Sequence, residues 1–209
     1  MADAIALIDY GAGNLQSVHN ALKAAGAELV AVTADPKIVR GARRIVLPGV
    51  GSFKACAHGL KAIPGLVEAM EQRVLGDGVP FLGICVGMQL MAQRGLEHGV
   101  TRGLGWIEGQ VELIERTDPE IKIPHMGWND VSPLPHHDGS ALVEPGEAYF
   151  LHSYHFAVAN GRDVAAMTDH GGGLVAAVAR DNLLGVQFHP EKSQAYGLSL
   201  LARFLEWRP

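Results

Sequence analysis

"VPFLGICVGMQL", Val79 to Leu90, is the stretch on which the fold turns. Val79 to Ile84 is a short apolar run that follows Gly78, and a run of that length bounded by glycine reads as a buried strand. Inside it, "GICVG" (Gly83 to Gly87) has the form Gly-x-nucleophile-x-Gly. That pattern belongs to a sharp turn from strand to helix, where small residues two before and two after the centre relieve crowding. The turn exposes the Cys85 side chain above the carboxyl edge of a sheet and aims the first amides of the next helix at one point. A helix N-terminus favours an anion and a thiolate there, which makes the Val86 amide a natural oxyanion donor. The same residues also admit a plainer reading, in which Cys85 packs as a small, inert hydrophobe. Cys56, in "FKACAHGL", has no strand before it and no glycine pair around it, and is read as core.

Outward from this turn the same architecture repeats. "AIALID" (Ala4 to Asp9), "ELVAVT" and "RRIVLPGVGSF" contain three more short apolar strands. "LQSVHNALKAAGA" carries Leu15, Val18, Leu22 and Ala25 at helical spacing with Gly26 as a stop. "ACAHGLKAIPGLVEAMEQRVLGD" covers helical turns broken at Pro64. Buried strands interleaved with helices predict an α/β fold with a mostly parallel central sheet and helices on both faces. After about Gly103 the texture changes. "WIEGQVELIER", "AYFLHSYHFAV", "DVAAMTDHGG", "LVAAVARD" and "LLGVQFHPE" read as strands joined by turns, an antiparallel extension of the same sheet. "SQAYGLSLLARFLEW" closes the chain as an amphipathic helix. No linker separates the halves, so residues 1–209 are expected to form one domain; "SPLPHHDGSALVEPGE" is the one loop-like insertion.

Composition narrows the function classes. The 209 residues are 48% hydrophobic and 19% charged, with a formal net charge of −5, which is ordinary for a globular protein and argues against nucleic-acid or anionic-membrane partners. No stretch of about eighteen apolar residues reads as a membrane span, and the N-terminus has no basic region of a signal peptide. The two cysteines make no disulfide framework, so a reducing, cytoplasmic setting is expected.

A thiol nucleophile needs a base, and the base needs an orienting group. Among ten histidines, His136 and His137 fall in the polar loop, and His19, His58, His98 and His170 read as surface. His152 and His155 flank Tyr154 at the end of an apolar strand and are candidates for a nearby site. His189 ends a strand in "LLGVQFHPE", with Val186 and Phe188 on one side. Gln187, His189 and Glu191 share the other if the extended conformation persists, and Pro190 favours extension at His189. Cys85, His189 and Glu191 then satisfy the logic of nucleophile, base and orienter; a surface His–Glu pair is the alternative. "LPGVGSF" puts Gly49, Val50 and Gly51 at the carboxyl end of another parallel strand, where open sheets bind ligands and glycine lets backbone amides approach closely. A phosphate-binding turn or a plain tight turn fits the same residues. "YGAGN" (Tyr10 to Asn14) lacks the dinucleotide fingerprint, because Gln16 stands where its third glycine belongs. No nicotinamide or flavin cofactor is expected, and no histidine spacing suggests a metal.

Taken together, "GICVGMQL", "LPGVG" and "HPEKS" resemble the class I, triad-type glutamine amidotransferases. "DYGAGNLQSVHNAL" and "PHMGWN" (Pro124 to Asn129) are similar to the glutaminase subunits of imidazole glycerol phosphate synthases. Val86 departs from the commoner leucine, although only its amide is needed. The resemblance spans Asp9 to at least Gln194 and implies that Cys85 attacks the side-chain amide of L-glutamine, with His189 as acid and base and Glu191 as orienter. It implies an oxyanion site from the amides of Val86 and of Gly49-Val50-Gly51, glutamine binding at Gln89 and Ser153, and no cofactor. It also implies a partner, a (β/α)₈ cyclase subunit in a heterodimer that consumes the ammonia, with Asn14, Trp128 and Lys192 as candidates for the docking face. On residues alone, Trp128 reads equally as core and Lys192 as a solvated charge. Two rivals stand beside this reading: a glutaminase of another synthase or a stand-alone cysteine hydrolase, and a non-enzymatic α/β binding module.

Overall fold

The computed structural model describes residues 4–116, 118–135 and 141–209. In the first half strand and helix alternate: β1 (Ala4–Ile8), α1 (Leu15–Ala24), β2 (Leu29–Thr33), α2 (Pro36–Gly41), β3 (Arg44–Gly49), α3 (Phe53–Lys61), α4 (Leu66–Glu71), β4 (Phe81–Cys85) and α5 (Val86–Gln89). The second half is mostly strand: β5 (Arg94–Gly95), β6 (Thr101–Arg102), β7 (Gly109–Leu113), β8 (His125–Pro133), β9 (Gly146–His152), β10 (Tyr154–Val158), β11 (Val164–Asp169), β12 (Gly173–Arg180) and β13 (Leu183–Val186). Helix α6 (Gln194–Glu206) follows.

A nine-stranded sheet runs in the order β2-β1-β3-β4-β13-β12-β11-β8-β9. Its first five strands are parallel, and the rest pair antiparallel. Every residue of β3, β4 and β13 is buried, as strands covered on both faces require. The α1 connection carries the chain outward from β1 to β2, and α2 carries it back past β1 to β3. Right-handed crossovers running in opposite directions put their helices on opposite faces. The packing agrees: α1 lies against α6, whereas α2 lies against α4. Arg44, buried at the start of β3, donates to the carbonyls of Phe204 and Trp207 at 3.2 and 3.0 Å. These are among the carbonyls that the end of α6 leaves without helical partners.

The structure departs from the sequence reading in several places. Helix α2 lies where no element is read, although Asp35 caps it by accepting from the Lys37 amide at 2.8 Å and Pro36 sits at its first position, a recognisable start signal. "PHMGWN", read only as a motif, begins β8. The expected single extension is in fact two sheets: β12, β11, β8 and β9 extend the main one, and β10-β7-β5-β6 form a separate sheet of four strands. "AYFLHSYHFAV" is therefore two strands broken at Ser153, whose carbonyl accepts from Ile114 N at 2.9 Å. His136 and His137 lie outside the described residues.

Candidate active site

Cys85 ends β4 with φ 53° and ψ −111°, in the left-handed half of backbone space that a side chain disfavours. Three glycines hold it there by what they lack. A Cβ on Gly83 would stand 2.7–2.8 Å from the backbone of Gly87 and Met88, one on Gly87 would strike the Leu47 carbonyl, and one on Gly49 would lie 2.8 Å from Gly87 N. The expectation of crowding inside the turn therefore accounts for Gly83, while Gly87 is small because β3 lies against it. Gly49 pairs with Cys85 in the β3–β4 register, so the Gly49-Val50-Gly51 segment leaves the sheet beside the sulfur. Gly51 has φ +94°, and the Val50 carbonyl accepts from Cys56 Sγ at 3.3 Å. Cys56 is wholly buried on α3, as read, but it also anchors this segment.

β13 runs parallel to β4 with Val186 beside Ile84, which carries the following residues across the Cys85 turn. The His189 amide donates to the Tyr149 carbonyl at 2.9 Å, the Ser193 hydroxyl donates to the His189 carbonyl at 2.7 Å, and Tyr149 N donates to Ser193 Oγ at 3.0 Å. The segment is thereby fixed to β9. His189 Nδ1 lies 2.8 Å from Glu191 Oε1, and the two side chains are 3% and 1% exposed. With Nδ1 so engaged, Nε2 is the ring nitrogen left to serve Cys85, which lines the same cavity. His189 is extended, as expected, but Glu191 is not: Pro190–Lys192 is a 3₁₀ turn, and the turn swings the carboxylate back onto the ring.

Burial draws the His189 pKa down, but hydrogen bonds to Cys85 and Glu191, with their charges, outweigh it and raise the value to about 9 from 6.5. A base whose folded pKa is raised stabilises the fold fully below its unfolded value and loses that contribution as pH rises through the folded one. His125 and His152 behave oppositely. Burial first, then neighbouring rings, lowers them to about 4 and about 3, so their contribution falls as pH drops below about 6.5. The thermal midpoint is expected to decline on both sides of near-neutral pH, and His189→Ala to flatten the alkaline limb only. Melting curves between pH 5 and 9.5 check this; an unchanged alkaline limb in the variant contradicts it.

A cavity of about 320 Å³ opens over Cys85 and His189, lined also by Gln89, Glu97, Ser153 and Val50. A larger cleft of about 1030 Å³ lies around Arg180 and Trp207, near the amino ends of β4 and β13, and none of its lining residues is a thiol or an imidazole. Gln89 Nε2 donates to the Tyr154 carbonyl at 2.9 Å and to Gln187 Oε1 at 3.0 Å. Both its protons are spent, so Oε1 alone is left to meet a ligand, and it can only accept. Two further residues reach the site: Gln187, which the sequence reading placed on the His189 face without a role, and Glu97, which it missed. Gln187 is wholly buried, and its Nε2 donates to Cys85 Sγ at 3.6 Å; its alternation with His189 was the available signal. Glu97 brings a second carboxylate to the cavity, with Oε2 accepting from Phe53 N at 2.7 Å, and no local pattern announces it.

The remaining candidates divide. Trp128 is 47% exposed on β8 and so is not core. It faces Tyr149 across the strand pair, and Lys192 Nζ lies 5.6 Å from the Tyr149 ring. Asn14 opens α1, which packs against the Pro190–Lys192 turn. His152 lines the cavity, whereas His155 sits 3.9 Å from Glu112 in the smaller sheet. Among the described residues no cluster of three or more His, Cys, Asp or Glu side chains could hold a metal ion, and no helix is long and apolar enough to cross a membrane.

A sequence profile of the family described as "Glutamine amidotransferase class-I" matches residues 6–207. The chain is 57% identical over 207 residues to the "Imidazole glycerol phosphate synthase subunit HisH" of Zymomonas mobilis, covering 98% of this chain and 96% of that protein. It is 55% identical to the subunit of the same description from Caulobacter vibrioides, over 98% of this chain and 99% of that protein. Among solved structures, one described as a glutamine amidotransferase superposes with a TM-score of 0.73 at 18% identity, over 96% of this chain and 97% of the other. PurLQS from Thermotoga maritima superposes with a TM-score of 0.70 at 17% identity, over 99% and 98% of the two chains. At those identities the structures share the fold.

Proposed function

This chain belongs to the class I glutamine amidotransferases, and from that premise we propose that it is the glutaminase subunit of an imidazole glycerol phosphate synthase, with Cys85, His189 and Glu191 as its catalytic triad. The observation that carries the triad is the convergence of Cys85 and His189 on one cavity, with Glu191 Oε1 2.8 Å from His189 Nδ1 behind it. The Cys85 thiolate attacks the side-chain carbonyl carbon of L-glutamine. The carbon–sulfur bond forms and the carbonyl electron pair moves to oxygen, facing the Val86 amide and an amide of Gly49-Val50-Gly51. Collapse breaks the carbon–nitrogen bond as His189 Nε2–H protonates the departing nitrogen, leaving ammonia and a thioester. His189, now neutral, takes a proton from water; hydroxide adds to the thioester, and collapse returns the thiolate and releases glutamate.

Glutamine binding follows from the polar groups of the cavity. Gln89 Oε1 accepts from a substrate N–H, Ser153 adds a second polar contact, and the Glu97 carboxylate is a counter-charge for the α-ammonium group. Ammonia released into neutral water becomes ammonium and ceases to be a nucleophile, so it has to pass directly to a second site. A (β/α)₈ cyclase subunit is that acceptor, and the exposed cluster of Trp128, Tyr149 and Lys192, with Asn14 nearby, is the docking face. There ammonia is used to form imidazole glycerol phosphate and an aminoimidazole carboxamide ribotide. One contiguous core supports treating residues 1–209 as a single domain, and two buried free thiols fit a cytoplasmic location.

The test is glutamate release by the chain alone, with the cyclase subunit, and with the cyclase subunit plus its nucleotide ligand. The chain alone is expected to be slow. A misdirected oxyanion donor costs roughly 10²–10³-fold, and the Gly49–Gly51 segment can change orientation at little steric cost at Gly51. Full activity from the chain alone would rule out this gating, and no activity in any arm would rule out the glutaminase assignment.

A further inference from the structure

Two buried imidazoles, His125 on β8 and His152 on β9, take no part in the chemistry above, yet an unbroken run of hydrogen bonds joins them to Cys85. Its direction is set at the Tyr154 carbonyl, which can only accept. His152 Nδ1 lies 3.0 Å from that oxygen and so carries its proton there. His152 Nε2 is then an acceptor, and His125 Nδ1, 3.0 Å away, must donate to it. His125 Nε2 in turn accepts from Asn129 Nδ2 at 3.0 Å, and the second Asn129 proton goes to the Asp169 carbonyl at 2.7 Å. On the other side of the junction, Gln89 Nε2 donates to the same Tyr154 carbonyl and to Gln187 Oε1, which leaves Gln187 Nε2 for Cys85 Sγ. Both rings remain neutral through the neutral pH range, because burial holds their pKa values at about 4 and about 3. His125 also stacks on Phe150 and His170, with centroids 4.6 and 4.2 Å apart.

Building on the glutaminase reading, we propose that His125 and His152 are positioning residues for Cys85, acting through the Tyr154 carbonyl and the Gln89–Gln187 pair to orient the sulfur that attacks glutamine. The run has no slack. Moving the proton on His125 from Nδ1 to Nε2 would set two lone pairs against each other across 3.0 Å, and a buried acceptor left unpaired is costly. The Asn129 side chain lies on the same face of β8 as His125, so the run extends from the Asp169 carbonyl to the nucleophile without passing through the Gly49–Gly51 segment.

His125 is not among the residues lining the cavity, so replacing it cannot act by touching glutamine. His125→Phe keeps the ring and its stacking but removes the donor to His152; Gln187→Met removes the amide at the other end. In the assembled two-subunit enzyme each single variant is expected to slow alkylation of Cys85 by iodoacetamide roughly 5- to 10-fold. The kcat for glutamine is expected to fall by a similar factor, with KM little changed. The double variant is expected to be no slower than the slower single one, because both changes cut one run. Singles within about twofold of the parent protein, or effects that multiply in the double variant, would overturn the proposal. Should melting curves show that His125→Phe does not fold, His152→Gln against His152→Phe decides instead. Gln presents both a donor and an acceptor, so a faster alkylation rate than in the Phe variant supports the run and equal rates overturn it. Alkylation reads the run even where no glutamine is turned over, an outcome that would strike the glutaminase reading alone.

Discussion

Replacing Cys85 with alanine is expected to abolish glutamine-dependent synthesis by the two-subunit enzyme and to leave ammonia-dependent synthesis intact. Alanine keeps the Cβ and the strained φ of 53°, so the turn retains its shape. It removes only the sulfur, from a residue 4% exposed. Loss of the nucleophile from a triad costs on the order of 10⁶-fold in turnover. The proposed docking residues Trp128 and Lys192 keep all their contacts. Free ammonia supplied in the medium bypasses this chain and reaches the cyclase directly. The two activities, followed in one preparation with glutamine or an ammonium salt as nitrogen donor, should therefore separate completely. Loss of both, with the complex still assembled, would contradict the proposed division of labour.

His189→Ala is expected to lower glutamine turnover by ~10²–10⁴-fold, the usual range for a positioned acid–base group, and Glu191→Gln to lower it less. Of the two imidazoles that line the cavity, His152 has both nitrogens engaged, by the Tyr154 carbonyl and by His125, which leaves His189 as the proposed carrier of the proton to the departing nitrogen. Glu191 touches the His189 ring, and its proposed role is to act on that ring and not on the substrate. Glutamine in its place can still accept from Nδ1–H across the 2.8 Å contact and so preserve tautomer and orientation. What it gives up is the negative charge that helps raise the His189 pKa to about 9. The Glu191→Gln variant should therefore also show the basic ionisation of His189 at lower pH than the parent. Steady-state glutamate release across pH compares the two variants directly. A larger loss in Glu191→Gln than in His189→Ala would invert the roles assigned to them.

The parallel half of the fold was legible because each of its signals is local. Apolar runs of four to six residues, glycine stops and the Gly83–Gly87 pattern lie within a single element. The second sheet was not legible, because alternation through "AYFLHSYHFAV" continues unbroken while the backbone changes sheets at Ser153. Nothing in the side-chain pattern marks which neighbour a strand will choose. The approach of Cys85 to His189 was inferable from chemistry, since a nucleophile demands a base. Gln187 and Cys85 are 102 positions apart, and an uncharged amide carries no such demand. The pairing of His125 with His152 escaped for a related reason. His152 read as a candidate for a nearby site and His125 only as part of "PHMGWN", and it is the β8–β9 register that sets them directly opposite one another. Glu191 shows the opposite case: its partner was right and the geometry wrong, because Pro190 opens a turn after permitting extension at His189.

The three glycines around Cys85 bear on how this site can be redesigned. At Gly49, Gly83 and Gly87 backbone meets backbone, so a mutagenesis library that varies the immediate surroundings of the nucleophile spends those positions on chains that cannot close the turn. Variation has room elsewhere on the cavity wall. Val50 and Leu151 are 40% and 37% exposed, and Ser153 lies at a strand break. Selections for a new amide donor, or for a catalyst that accepts a longer side chain than glutamine, are expected to collect changes at those positions while the glycine frame stays fixed.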